Sequence, residues 1–264
     1  MTSDQQNVAE FYDQMWKSYG HLDAASPAAF HRRRLVVALA KSASPNALRV
    51  LDAGCGQGEL LAELARTFPG AEISGADVSE QSLRDTRERR AGAELFLLDL
   101  AAPDFLERQR ERLGRFDVVA CSEVLEHIPA AARAAANLRE LLAPGGVAVI
   151  TVPGGAMSRF DELIGHQRHY SPRAMRHLLE RSGYQVDLAI GWGFPFHNLY
   201  RTAVRVASRA AMPKTTADDP QRGGLTTLLS SAYSIFGRSL KPLFYLNLSR
   251  WGEQTIVVAR RPRD

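Results

Sequence analysis

Short runs rich in Val, Ile, Leu and Ala alternate along the chain with stretches whose apolar residues recur every three or four positions, predicting strands and amphipathic helices in turn. The runs at 48–53, 71–76, 93–98, 116–121, 146–152, 184–190 and 254–260 read as seven strands, with helices between the first six. Such alternation predicts one α/β domain built on a doubly wound, mostly parallel sheet with additions. Residues 7–20 and 27–42 read as helices that precede the first strand and pack over the pocket mouth. The stretch from Gly191 to Gly252 is far longer than the usual connection between two strands, so an appended lid or small subdomain is expected there. Its first helix, around 197–212, places Leu199, Ala203, Val206 and Ala210 on one face and Arg201, Arg205 and Arg209 on another. Pro213 to Gly224 reads as disorder-prone, and 225–248 as an apolar helical pattern. The predicted organisation is a helical lid over 1–45, a core over 46–190, a helical insertion over 191–252, and a last strand with its tail over 253–264.

Chemistry enters at Val50-Leu51-Asp52-Ala53-Gly54-Cys55-Gly56-Gln57-Gly58-Glu59. A strand that turns this tightly into a helix leaves backbone N–H groups pointing into a crevice beside the strand-end carboxylate, a corner suited to a nucleotide-like ligand. The dinucleotide fingerprint needs glycine where Glu59 stands, which argues against a nicotinamide oxidoreductase, and the Gly-Lys-Ser/Thr ending of a phosphate-cradling loop is missing. Two further strands run into Asp77 and into Asp99-Leu100. In a parallel sheet such ends line the crevice at the switch point, so Asp52, Asp77 and Asp99 are expected to converge. Three carboxylates suit a cationic ligand with a ribose and an exocyclic amine, and they repel a pyrophosphate. Each acid alone also suits a helix N-cap.

With the further motifs Ile73-Ser74-Gly75-Ala76-Asp77-Val78-Ser79, Leu97-Leu98-Asp99-Leu100, Phe116 to Ile128 (ending Ser122-Glu123-Val124-Leu125-Glu126-His127-Ile128) and Leu141 to Pro153, the chain resembles the Rossmann-like, class I S-adenosylmethionine-dependent methyltransferases. Five ordered motifs across about a hundred residues make coincidence improbable. The resemblance implies a seven-stranded sheet with the last strand antiparallel between the fifth and sixth, and S-adenosylmethionine as methyl donor, leaving as S-adenosylhomocysteine. It places Gly54, Gly56 and Gly58 against the methionine part of the cofactor with Asp52 near its ammonium, Asp77 on the ribose hydroxyls, and Asp99 and the Leu100 N–H on the adenine. Val78 and Ser122 join that cofactor set, and a tyrosine of the N-terminal lid, Tyr19, is expected to reach in. For Phe11 and Trp16, docking on the core as part of an amphipathic helix is at least as good an account.

Methyl transfer from a sulfonium is an in-line displacement, so the protein mainly aligns the acceptor and, where needed, removes its proton. Glu123 and His127 follow the fourth strand, and a histidine titrates close enough to neutrality to take a proton. In ubiquinone-pathway and RNA 3′-terminal methyltransferases a similar Glu-x-x-Glu-His segment helps hold a divalent metal. Metal-assisted O-methylation through Glu123, Glu126 and His127, with His166 or His169 completing the site, is therefore the alternative, although no metal ligand is assigned. The loop Gly165-His166-Gln167-Arg168-His169-Tyr170-Ser171-Pro172 resembles an acceptor-covering loop of this class, so His166 and His169 stand as catalytic candidates beside the plainer role of polar pins. Ser171-Pro172 reads as the N-cap and first residue of the next helix.

Composition narrows the setting. The chain has 264 residues, of which 45% are hydrophobic, enough to bury a full core. Two cysteines, Cys55 and Cys121, are too few for a disulfide framework and indicate a reducing compartment, and no apolar run approaches the roughly 18 residues of a membrane span. A cytoplasmic enzyme is expected. Residues 191–264 carry 11 Lys+Arg against 4 Asp+Glu, whereas residues 1–190 hold 22 against 25. That basic insertion suits peripheral contact with anionic lipid, a lipid-linked acceptor, or a homodimer or lid element. Its arginines are not interleaved with stacking aromatics, so nucleic acid is not expected. A small-molecule, glycan or lipid-linked hydroxyl or amine is the expected acceptor.

Overall fold

Continuous apolar runs become the strands of one sheet, because strands covered by helices on both faces have no wet side to mark with polar residues. The computed structural model describes residues 7–16, 26–89, 92–105, 113–211, 243, 246–247 and 251–263. Its strands are β1 (Arg49–Ala53), β2 (Glu72–Asp77), β3 (Glu94–Leu97), β4 (Phe116–Ser122), β5 (Leu142–Pro153), β6 (Gln185–Trp192) and β7 (Gln254–Arg260). They stand in the order β3-β2-β1-β4-β5-β7-β6, all neighbours parallel except β7, which runs antiparallel between β5 and β6. The order reverses between β1 and β4, which opens the crevice there. Asp52 on β1 lies level with Gly75 on one side and Ala120 on the other.

Helices cover both faces. Residues 7–16 form α1, followed by α2 (Pro27–Ala43), α3 (Glu59–Thr67), α4 (Glu80–Arg89), α5 (Ala131–Leu141), α6 (Arg159–Leu163), α7 (Pro172–Arg181) and α8 (Phe196–Ala211). Val36 and Ala40 of α2 and Leu60 and Leu64 of α3 pack on Val50, Val118, Val149 and Ile256. On the opposite face Leu138 of α5 and Met175 and Leu179 of α7 pack on Leu51, Val119, Ile150 and Val257. Ser171 caps α7 by accepting from the Ala174 N–H at 3.2 Å, with Pro172 in the first turn, as its sequence predicts.

Two details differ from expectation for physical reasons. β5 begins at Leu142 rather than 146, because Leu142 pairs with Phe116 across a bulge that the periodicity does not reveal. On α8 it is the arginine face at residues 201 and 205, not the apolar one, that turns inward. Arg201 and Arg205 turn inward to Asp161 and Glu253, at 3.4 and 2.7 Å, while Leu199 and Val206 are 65% and 60% exposed. Residues 17–20 of the expected first helix, the stretch 213–224 and most of 225–248 lie outside the described residues. No described helix is long and apolar enough to cross a membrane.

Candidate functional site

β1 delivers Asp52 to the crevice, and the turn beyond it doubles back on β2 through Gly54 N–H and Cys55 N–H, which both donate to the Ala76 carbonyl at 2.7 and 3.0 Å. Such a path needs left-handed backbone, and Gly54 and Gly56 supply φ of 81° and 51°. At Gly54 a Cβ would also stand 2.3 Å from Val124 Cγ2, so β4's outgoing loop packs directly on the turn. Asp77, at the end of β2, locks this turn in place: one carboxylate oxygen accepts from the Gly56 N–H and the other from the Ser79 N–H, each at 2.9 Å. Thr86 on α4 adds a bond to the Gly56 carbonyl at 2.7 Å.

Asp52 and Asp77 are therefore brought together, both buried. Burial first, then the Asp77 charge, pushes the Asp52 pKa up to about 8, against weaker opposition from the Leu61 backbone bond and Arg33. One Asp52 oxygen is buried with no hydrogen-bond partner. Asp99 lies two residues beyond β3, and its Oδ1 accepts from the Ala101 N–H at 2.8 Å. Asp77 and Asp99 thus bind backbone N–H groups without capping a helix; before α4 that role falls to Ser79, whose hydroxyl accepts from the Ser82 N–H at 3.0 Å. Leu100 is buried and its carbonyl receives Asn137 Nδ2 at 2.7 Å, while Val78 is half-buried beside Asp77.

The N-terminal helix covers this corner. Trp16 lies so close over Gly56 that a Cβ there would meet its ring at 2.5 Å. Asp13 takes hydrogen bonds from the Ser79 hydroxyl and the Gln81 N–H. Tyr12 sets its ring edge-on to His127 at 5.5 Å, and burial, then the Glu126 and Asp77 charges, raises its pKa. Tyr19 lies outside the described residues. Sequence reasoning missed Tyr12 and Asp13, although the aromatic cluster of residues 11–19 was the signal that pointed to this segment.

Across the crevice, Ser122 and Thr151 share a 2.9 Å hydrogen bond, and Thr151 donates to Glu123 Oε1 at 3.2 Å. Glu123 sits at φ 58°, rare for a residue with a side chain, and its other oxygen lies 3.4 Å from Arg32 of α2. Glu126 is fully buried and raised well above the carboxylate range by burial and then by Glu123. His127 is lowered to about 4 by burial, and His166 and His169 are lowered by the same cause. These rings form one cluster: His127 meets His166 edge-on at 4.6 Å, and His166 Nδ1 lies 3.0 Å from His169 Nε2. Asp161 of α6, which caps its own helix through Ser158, stands 3.9 and 3.8 Å from those two ring nitrogens. Arg168, by contrast, is exposed and donates to the Pro129 carbonyl.

Glu126, His127 and His166 present metal-ligating atoms within 4.8 Å of one another, and so do Asp161, His166 and His169. Yet His166 and His169 already satisfy each other, Asp161 holds Arg201 and Ser158, and Glu123 turns to Arg32 and Thr151. Glu126 Oε1 and Oε2 and His127 Nδ1, however, are buried without a hydrogen-bond partner, so the first set keeps donors that a cation could use. The glycine corner fits a cation: one Asp52 oxygen is a buried acceptor without a hydrogen-bond partner, and the Arg33 charge only weakly offsets its burial.

The family described as a methyltransferase domain matches residues 25–189. A ubiquinone biosynthesis O-methyltransferase of Ralstonia nicotianae is 39% identical over 100 residues, covering 37% of this chain and 40% of that protein. One from Coxiella burnetii is 38% identical over 97 residues, with the same coverage. The chain thus spans about two fifths of the length of these curated relatives. Among solved structures, phosphoethanolamine N-methyltransferase 2 of Haemonchus contortus, bound to phosphomonomethylethanolamine and S-adenosylhomocysteine, superposes with a TM-score of 0.60 at 17% identity, over 99% of this chain and 61% of that one. The [4+2]-cyclase SpnF superposes at 0.54 with 16% identity, over 86% and 81%, so likeness of this degree carries the fold alone.

Proposed function

The chain belongs to the class I S-adenosylmethionine-dependent methyltransferases, and from that premise we propose that it moves a methyl group to a hydroxyl, with an amine as the lesser choice, of a small-molecule, glycan or lipid-linked acceptor. The observation that carries the reading is Asp52, a buried carboxylate with an unpartnered oxygen at a glycine turn, where the ammonium of the methyl donor would supply the missing positive charge. Gly54, Gly56 and Gly58 would bring backbone to the methionine part, and Asp77 and Asp99 would turn to the ribose hydroxyls and the adenine amine. Val78, Leu100 and Ser122 stay with this cofactor set, and Tyr19 keeps its lid role as part of the proposal. When bound, S-adenosylmethionine supplies an already activated methyl carbon. The chain's own part is to hold the acceptor in line and to accept its proton at the cluster of Glu123, His127, His166 and His169.

The partition into a lid (1–45), a core (46–190), an insertion (191–252) and a final strand (253–264) fits this division of labour, since α1 and α2 cover one crevice and α8 carries Arg201 to the histidine loop. Leu199 and Val206 are exposed on the face of α8 turned away from Arg201 and Arg205. Cys55 and Cys121 are both free and buried, in keeping with a cytoplasmic enzyme. Calorimetry tests the reading: S-adenosylhomocysteine is expected to bind and NAD to give no heat. Binding of NAD with no response to S-adenosylhomocysteine would overturn it.

A further inference from the structure

Helix α8 carries its apolar residues on the wrong side for a core. Leu199, Ala203 and Val206, spaced at i, i+4 and i+7, are all exposed, while Arg201 and Arg205 pair with Asp161 and Glu253. The chain that returns to the sheet lies against the first turn of this helix. Asn247 Oδ1 accepts from the Phe196 and His197 N–H groups at 2.9 and 3.2 Å, and the Trp251 carbonyl accepts from the Phe194 N–H at 2.9 Å. Phe194, Leu246 and Trp251 are exposed there too, Trp251 at 69%. Six of the ten large apolar side chains exposed among the described residues belong to residues 194–251, so such surface is concentrated between β6 and β7 rather than scattered singly over the molecule.

We propose that the outer face of α8, with Phe194, Leu246 and Trp251 at its end, is a docking surface for an anionic lipid bilayer. Charge selects this occupant. Residues 191–264 hold 11 Lys+Arg against 4 Asp+Glu. Setting aside Arg201, Arg260 and Arg261, which pair with Asp161, Asp187 and Glu140 outside the segment, 8 cations remain against 4 acids. An apolar helix face flanked by an indole and a phenyl ring, within a segment of positive charge, has the composition of an interfacial helix: the rings and aliphatic side chains enter the headgroup boundary, and the cations meet lipid phosphates. A second copy of the chain fits less well, because a two-fold contact sets the positive segment against itself. The helix also leaves the sheet at the edge where the crevice opens: β6 ends at Trp192, level with Gln254 at the start of β7 and, beyond it, Pro153 at the end of β5. A bilayer held by α8 lies along the edge at which a lipid-linked acceptor would enter. Docking itself needs no methyl donor, so it stands apart from the methyltransferase reading.

Sedimentation of the full chain with lipid vesicles tests the docking face. Vesicles of phosphatidylglycerol mixed with phosphatidylcholine are expected to bind it at least about tenfold more tightly than phosphatidylcholine alone, and salt at about 0.5 M should remove most of that difference. Trp251 emission should shift to shorter wavelength on the anionic vesicles, and Trp251→Phe should lose the shift. Leu199→Asn combined with Val206→Asn should weaken vesicle binding at least about tenfold, with the circular dichroism spectrum and S-adenosylhomocysteine affinity unchanged. Equal binding to neutral and anionic vesicles, binding to neither, or a double variant that binds like the wild type overturns the proposal. So does a dimer in light scattering that the double variant converts to monomer, since a second copy then covers the face. Loss of S-adenosylhomocysteine binding with vesicle binding intact would remove the methyltransferase reading alone.

Discussion

Asp52 is held in a state that a ligand can change. With its pKa pushed up to about 8 by burial and then by the Asp77 charge, it is mostly protonated at pH 7 while the crevice holds no cation. A bound ammonium favours the carboxylate and pulls the pKa back down, so binding should expel a proton near neutrality, and affinity should rise as pH climbs from 6 to 8. Calorimetric titration with S-adenosylhomocysteine in buffers of different ionisation enthalpy measures that proton. Asp52→Asn should abolish its release and weaken binding about tenfold, or ~1.4 kcal/mol. Equal proton release in the Asn variant would remove Asp52 from the role. The placement of Asp52 and Asp77 was legible because strand ends in a parallel sheet meet at the switch point, whatever the loops do. What Asp77 binds was not legible, because the backbone N–H groups it meets are chosen by the path of the glycine turn.

At the scale of elements, α1 and α8 show what periodicity conveys and what it omits. The spacing of apolar residues separated the faces of α8, yet the inward face is the one bearing Arg201 and Arg205. Their partners, Asp161 and Glu253, are distant in sequence, and a face rich in arginine carries no mark that a buried carboxylate awaits it. On α1, three side chains in succession engage the crevice: Tyr12 on His127, Asp13 on Ser79 and Gln81, and Trp16 over Gly56. With the indole against the Gly56 backbone, a ligand that approaches this turn has to wait for α1 to shift, and only the shifted fraction is competent. Trp16→Ala should therefore raise the association rate of S-adenosylhomocysteine about threefold or more in stopped-flow measurements. An unchanged rate would mean that the indole does not gate the turn.

Over the whole molecule, two sets of buried ionisable groups have pH dependences that oppose each other. Asp52, Asp77 and Glu126 have raised pKa values, burial being the first cause of each, so the native state binds more protons than the unfolded chain above about pH 4. Their contribution to stability falls as pH rises, through about 8 for Asp52. His127, His166 and His197 have lowered values, again mainly from burial, so the unfolded chain binds the extra protons below about pH 6.5, and their contribution grows as pH rises to that point. Between pH 4 and 6.5 the two sets offset one another; above 6.5 only the acids still act. The ligand-free protein should thus be most stable near pH 6.5 and lose up to about 2 kcal/mol per fully responding group by pH 8, several degrees in Tm. Asp52→Asn should make that alkaline decline shallower, and saturating S-adenosylhomocysteine should do the same by supplying the charge that Asp52 lacks. A Tm that climbs from pH 6.5 to 8 in the ligand-free chain would show that these acids are ionised without a partner. The crevice would then hold its charge without a cation, and the physical case for a positively charged methyl donor at this corner would fail.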